Sequence, residues 1–176
     1  MSTHISRYAN QSLVATLPKF RNIEAFKQWV VPHFKEVDTH FVTLTFNPNV
    51  KFEEVASSAK VSLFLKRLNR RVFGKAYDKG YCSLKSLPVF ELNHADGLHV
   101  HMLLERPATI KNSTKNFEDL IKEIWCEINY EVIKGAQDIR PCSNLDKLLS
   151  YMTKQTRFND NMRLDFNNFN WIATTA

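Results

Sequence analysis

Two apolar periodicities alternate along the chain and predict an α+β domain. Period-two or β-branched runs mark strands at F-V-T-L-T-F (Phe41–Phe46), L-P-V-F-E-L (Leu87–Leu92) and L-H-V-H-M-L-L-E (Leu98–Glu105). Period-3.6 runs mark two long amphipathic helices, at about Glu53–Val72 and Lys115–Tyr130. The turn N-H-A-D-G (Asn93–Gly97) is short enough to join the second and third strands as a hairpin.

Composition narrows the class. At 176 residues with 44% hydrophobic and 24% charged residues, the chain has the make-up of one globular domain. With only four glycines, no repeat and no low-complexity tract, nothing marks a linker. We therefore expect one unit over 1–176, with a core at about 38–158, a short N-terminal helical extension and a C-terminal tail. The net charge of +6 favours polyanionic partners. Cys82, Cys126 and Cys142 are widely spaced and odd in number, which argues against a disulfide framework and fits a reducing compartment. No apolar secretion signal opens the chain, and no run approaches the ~18 apolar residues of a membrane span. The expectation is a soluble, intracellular protein.

The elements follow in order. Phe26, Trp29 and Val30 at helical spacing, with Pro32 near the end, predict a helix over Ile23–Phe34. The Phe41–Phe46 strand stops at Asn47-Pro48-Asn49. In the first long helix, Val61, Phe64, Leu65, Leu68 and Val72 form the apolar face, and Lys66, Arg67, Arg70 and Arg71 project from the remaining arc. Such an arc is either a solvated surface or, with Lys75, Lys79 and Lys85 nearby, a phosphate-facing one. Gly74 and Gly80 mark the loop beyond. In the second long helix Phe117, Leu120, Ile121, Ile124, Trp125 and Ile128 are buried, with Glu118, Asp119, Glu123 and Glu127 largely outward. A strand at Ala136–Arg140 and a helix capped by Ser143 or Asn144, running to about Gln155, complete the pattern.

Two constellations carry chemistry. In G-L-H-V-H-M-L-L-E, Leu98, Val100, Met102 and Leu104 fall on one strand face, and His99 and His101 on the other, about 7 Å apart. That spacing suits a shared metal ion, and it equally suits two partly buried histidines. Glu91 joins them if the hairpin turns its side chain the same way. In the last helix, Lys147, Tyr151 and Lys154 gather on one side, opposite Leu148, Leu149 and Met152. A surface tyrosine between two lysines has the same pattern.

Taken in chain order, F-V-T-L-T-F, H-V-H and Y-M-T-K (Tyr151–Lys154) resemble the motifs of the HUH endonucleases, and within them the replication initiator (Rep) proteins of rolling-circle plasmids and phages. The resemblance spans Phe41 to about Gln155. It implies a central antiparallel sheet with helices packed mainly on one face, like the RNA-recognition fold, and an active site on the other face. It implies that His99 and His101 bind a divalent metal, Mg²⁺ or Mn²⁺, with Glu91 as the third ligand and His94 and Glu105 as its rivals. It makes Tyr151 the nucleophile and Lys154 its companion. Thr43 and Thr45 would share the DNA-facing surface, and Lys66, Arg67, Arg70 and Arg71 would hold phosphates.

The implied reaction is site-specific nicking and joining of single-stranded DNA at a replication origin through a covalent 5′-phosphotyrosine, with a host helicase and polymerase as candidate partners. A phenol ionises only near pH 10 in water, so such a nucleophile needs cationic surroundings. Where some Rep proteins carry a second tyrosine one turn later, this chain has Gln155, which implies one-tyrosine chemistry. No G-x-x-x-x-G-K-S/T loop is present, so no attached helicase motor is expected. Three rivals stand: a single-tyrosine transposase of the same class, a non-enzymatic basic nucleic-acid-binding module, and a cupin-like metal site using Glu105. The cupin reading lacks its flanking glycines and conflicts with two long helices.

Overall fold

The sheet is assembled around the strand that the Phe, Val and Thr run predicts. In the computed structural model, which describes residues 20–47, 53–93, 97–108, 110, 115–129, 137–154 and 164–171, that strand is β1 (Thr39–Thr45). It follows helix α1 (Ile23–Phe34), whose N-cap Asn22 accepts a hydrogen bond from the Ala25 amide. Then come α2 (Glu54–Phe73), the one-turn α3 (Lys75–Asp78), β2 (Ser86–Asn93), β3 (Gly97–Glu105), α4 (Phe117–Ile128), β4 (Asp138–Pro141) and α5 (Leu145–Met152). The four strands form one antiparallel sheet in the order β2-β3-β1-β4, so the expected α+β class and antiparallel sheet are found. Gly97 enters β3 with φ +81°, a conformation that a side chain would strain.

Alternation divides the sheet into two faces. Val42, Leu44, Val100 and Met102 point to one face and pack against Val61, Phe64 and Leu68 of α2 and Leu120, Ile121, Ile124 and Trp125 of α4. All are essentially fully buried. At ~1.5–3 kcal/mol for each large apolar side chain taken from water, this layer is the main source of stability. The Trp125 indole N–H is not orphaned there, because it donates to the Thr45 carbonyl at 2.8 Å and ties α4 to the end of β1.

The opposite face is apolar at one end only. There Phe41, Leu87, Val89 and Leu103 are covered by Phe26, Val30 and Phe34 of α1, by Leu149 and Met152 of α5, and by Leu164. The α1 segment is thus a lid on this half of the sheet rather than a mere lead-in. Residues 164–171, part of the expected tail, complete it: Ser86 and Asn170 exchange backbone hydrogen bonds at 2.7 and 2.9 Å, sheathing the edge of β2. Phe169 stacks on Trp29 with ring centroids 4.9 Å apart, and Trp171 stacks on His33 at 4.8 Å. The buried Asp165 accepts from Ser58 Oγ at 2.8 Å and from Asn168, fastening the same segment to α2.

Beyond end shifts of one or two residues in several elements, two features differ from the sequence reading. The loop beyond Gly74 contains the one-turn α3, held by the Arg70–Asp78 ion pair at 2.7 Å. The last helix ends at Met152 rather than near Gln155, because the β-branched Thr153 turns its hydroxyl back onto the Leu149 carbonyl at 2.7 Å. Lys154 therefore lies in the turn after α5, and Gln155 lies outside the described residues.

Candidate active site

The polar end of the second face holds the candidate residues in register. Glu91 on β2 lies opposite His99 on β3, which lies opposite Thr45 on β1. One row further along, Val89, His101, Thr43 and Asp138 follow one another across all four strands, and the next row reads Leu87, Leu103, Phe41 and Arg140. A cleft of about 660 Å³ opens over this end, with Phe41, Thr43, Glu91, His99 and His101 as its floor. The β4 residues Asp138 and Arg140 form one wall, and Lys147, Tyr151 and Lys154 form the other.

Each imidazole is oriented by a threonine hydroxyl from the neighbouring strand. Thr43 Oγ1 lies 3.0 Å from His101 Nδ1, and Thr45 Oγ1 lies 3.1 Å from His99 Nδ1. The two rings are nearly parallel, with centroids 6.5 Å apart, close to the separation expected from strand geometry. Holding Nδ1 in this way leaves Nε2 as the ring atom that faces a ligand, the usual arrangement of a metal-binding histidine and its outer partner. His101 is 4% exposed and stacks on Phe41 at 5.3 Å.

His101 Nε2 also contacts the Glu91 carboxylate. Burial pushes the His101 pKa below its ordinary value; the hydrogen bond and charge of Glu91 oppose this, while His99 and Lys154 add to it. A neutral ring is the form that can act as a ligand. Because a carboxylate only accepts, Nε2 carries the proton in this pairing and Nδ1 accepts from the Thr43 hydroxyl. When Nε2 must give up its proton, the same hydroxyl can instead accept from Nδ1, so Thr43 serves either tautomer.

Two imidazoles and a carboxylate form a donor set that suits Mn²⁺ or Mg²⁺, with imidazole also admitting Zn²⁺. In type and tautomeric freedom the residues fit such an ion. In position they are not gathered: among the described residues, no three His, Cys, Asp or Glu side chains stand together as an ion-holding group. Glu91 is turned onto one ring rather than shared between two. Of its rivals, Glu105 lies six residues along β3 from His99, where its carboxylate accepts from the Lys85 amide at 2.9 Å, and His94 lies outside the described residues.

Tyr151 stands beside this pair. Its ring centroid is 5.8 Å from that of His101 and 5.9 Å from that of Phe41, edge to face in both cases, and the residue is 45% exposed. The phenol therefore borders the cleft floor while remaining open to solvent. Lys154 Nζ sits 4.1 Å from the centre of the Tyr151 ring, a cation–π contact that places positive charge on the ring face. Of the other candidate nucleophiles in the cleft, burial pushes the Cys142 thiol up and keeps it protonated.

The basic arc of α2 lies elsewhere. Lys66, Arg67, Arg70 and Arg71 are exposed on a helix that covers the opposite face of the sheet. Arg67 reaches Glu127 at 3.4 Å and Arg70 reaches Asp78, so part of the arc is internally paired. The cations at the cleft are instead Arg140, Lys147 and Lys154. Sequence reading passed over Asp138 and Arg140; the available signal was their alternation in D-I-R-P, which turns both toward the face that carries the histidines.

An α+β domain with a histidine–carboxylate–tyrosine cleft on an open sheet face is the class these observations define. Residues 39–157, which include every one of these cleft residues, match the family model for the replication-associated protein ORF2, and the chain belongs to that family. No curated protein and no solved structure matches the chain. Among the described residues, no helix is long and apolar enough to cross a membrane.

Proposed function

We propose that this protein is an HUH endonuclease that initiates rolling-circle replication by nicking and joining single-stranded DNA. The observation that carries this reading is the 5.8 Å approach of the Tyr151 ring to the His101 ring inside one cleft, from elements far apart in sequence. Membership of a replication-associated family supports the biological setting.

The residues divide the work as follows. The scissile phosphodiester lies over the His99–His101 floor, within reach of the Tyr151 hydroxyl. The phenolic oxygen attacks phosphorus and releases its proton to solvent or a nearby base. The bond to the 3′ oxygen breaks, and that oxygen leaves as a 3′-hydroxyl after taking up a proton. The product is a 5′-phosphotyrosine, which conserves the bond for rejoining and leaves a primer end. Lys154 and Lys147 favour the approach of the anionic strand. Thr43 and Thr45 hold the imidazoles at fixed angles.

His99, His101 and Glu91 would hold a divalent cation, Mg²⁺ or Mn²⁺, whose chemistry when bound is to draw negative charge from the phosphate oxygens. Single-stranded origin DNA is the proposed partner, with a host helicase and polymerase acting after the nick. The absence of a second tyrosine one turn on, at Gln155, means that each molecule makes one covalent link.

The test is incubation of the full chain with labelled single-stranded oligonucleotides and Mn²⁺, followed by denaturing electrophoresis. With the label on the 3′ side of the nick, a labelled band at the mass of the protein plus the attached fragment is expected for wild type and not for Tyr151→Phe. An adduct of equal yield in Tyr151→Phe would refute the assignment.

A further inference from the structure

The geometry points to Arg140 as the residue that grips a phosphate of the DNA strand on the β4 side of the nucleophile, with Asp138 as its positioning residue. This inference rests on the proposed function above and adds a contact that neither the motif pattern nor the family match assigns.

The case begins with register. Asp138 and Arg140 alternate on β4, opposite Thr43 and Phe41, so both face the cleft side of the sheet. Arg140 Nε donates to Asp138 Oδ1 at 2.8 Å. That leaves both Nη groups, and among the described residues neither has a partner. An arginine fixed through Nε presents its remaining N–H groups as a planar fork, the geometry that matches two phosphate oxygens. The side chain is 73% exposed, so the fork is open to solvent rather than spent inside the fold.

Position supplies the second argument. Arg140 is one strand away from Phe41, about 4.8 Å across the sheet. The Phe41 ring in turn meets the Tyr151 ring edge to face. A strand whose phosphate is attacked by Tyr151 must leave the cleft past one of its walls. On the β4 wall, Arg140 is the cation it passes.

Asp138 adds a distinguishing sign. A carboxylate beside a DNA path repels phosphate, so if simple charge were all that mattered, its removal would tighten binding. If Asp138 instead aims the guanidinium, its removal weakens binding, and Asp138→Asn, which keeps an acceptor oxygen, restores most of the loss.

The experiment measures affinity of the full chain for a fluorescent single-stranded oligonucleotide in EDTA, over roughly 50 to 200 mM salt. Each phosphate contact contributes about 0.7 to the slope of log affinity against log salt for single strands. Arg140→Ala should lower the slope by about 0.7 and weaken binding on the order of ten-fold or more. Arg140→Lys should keep the slope and lose part of the affinity. Asp138→Ala should weaken binding, with rescue by Asp138→Asn. An unchanged slope in Arg140→Ala, or tighter binding in Asp138→Ala, would overturn the inference. Wild-type adduct formation with Mn²⁺ is scored in parallel: its absence together with a reduced slope in Arg140→Ala would sink the nicking reading and leave the strand contact standing.

Discussion

Replacing Thr43 with valine removes one oxygen and keeps the shape of the side chain, so its effect isolates the hydrogen bond to His101 Nδ1 at 3.0 Å. His101 is 4% exposed, so water does not readily replace the lost partner. Leaving a buried ring nitrogen unpaired costs about 1–3 kcal/mol, and valine's fit to a pleated strand offsets only a few tenths of that. Thr45→Val provides the internal comparison. Its bond to His99 is of similar length, 3.1 Å, but His99 is only half-buried and water can substitute, so a loss below about 1 kcal/mol is expected. Urea denaturation of both variants, with equal slopes against denaturant, measures the difference. Nitrogen-15 spectra of the His101 ring report whether its tautomer is still fixed. If Mn²⁺ binds at these rings, Thr43→Val should weaken it by about 10–100-fold. Equal stability losses in the two variants, with an unaltered His101 ring spectrum in Thr43→Val, would refute the orienting role of this hydroxyl.

Three further outcomes are expected. Glu91→Gln should reduce Mn²⁺ affinity measured by calorimetry while leaving the fold intact, since the amide keeps the size but not the charge; unchanged affinity would remove Glu91 from the ligand set. Leu164→Ala should cost about 2–5 kcal/mol, because Leu164 is 6% exposed against the α1 and α5 layer; a loss below about 0.5 kcal/mol in chemical denaturation would contradict the role of 164–171 in closing the fold. Burial raises the Asp165 pKa above its ordinary value, against hydrogen bonds from Asn168, Ser58 and backbone amides that lower it. The folded chain then holds that proton at a higher pH than the unfolded chain, so the contribution is full below the unfolded value of about 3.9 and is lost as pH rises through the folded one. The wild-type minus Asp165→Asn difference in unfolding free energy should therefore fall as pH rises above about 4; a difference that grows would reverse the assigned direction.

Much of the fold was legible because its signals are local. Alternation in L-H-V-H-M-L-L-E is a property of consecutive residues, and it placed His99 and His101 on the face away from the core before any pairing was known. The face of α5 that carries Lys147 and Tyr151 follows from helical spacing alone, whereas Lys154 joins them from the turn after Met152. What escaped depends on contacts between distant segments. That α1 lies over the apolar end of the cleft face requires Phe26 and Val30 to meet Leu103 and Leu149, which no periodicity specifies. Trp29 and Phe169 find each other across most of the chain. The basic arc of α2 was visible as an arc, but its side of the molecule depends on which face of the sheet the helix covers. Asp138 and Arg140 sit on a short strand whose importance comes from its register with Thr43 and Phe41, and register is set by partners rather than by the strand's own sequence.

The most direct measurement is the mass of the protease fragments after reaction with single-stranded DNA and Mn²⁺. The account predicts a nucleotide bound through its 5′ phosphate to the fragment that contains Tyr151, together with DNA ending in a free 3′-hydroxyl. A nucleotide on any other fragment, or cleaved DNA with a free 5′ phosphate and unmodified protein throughout the reaction, would contradict it.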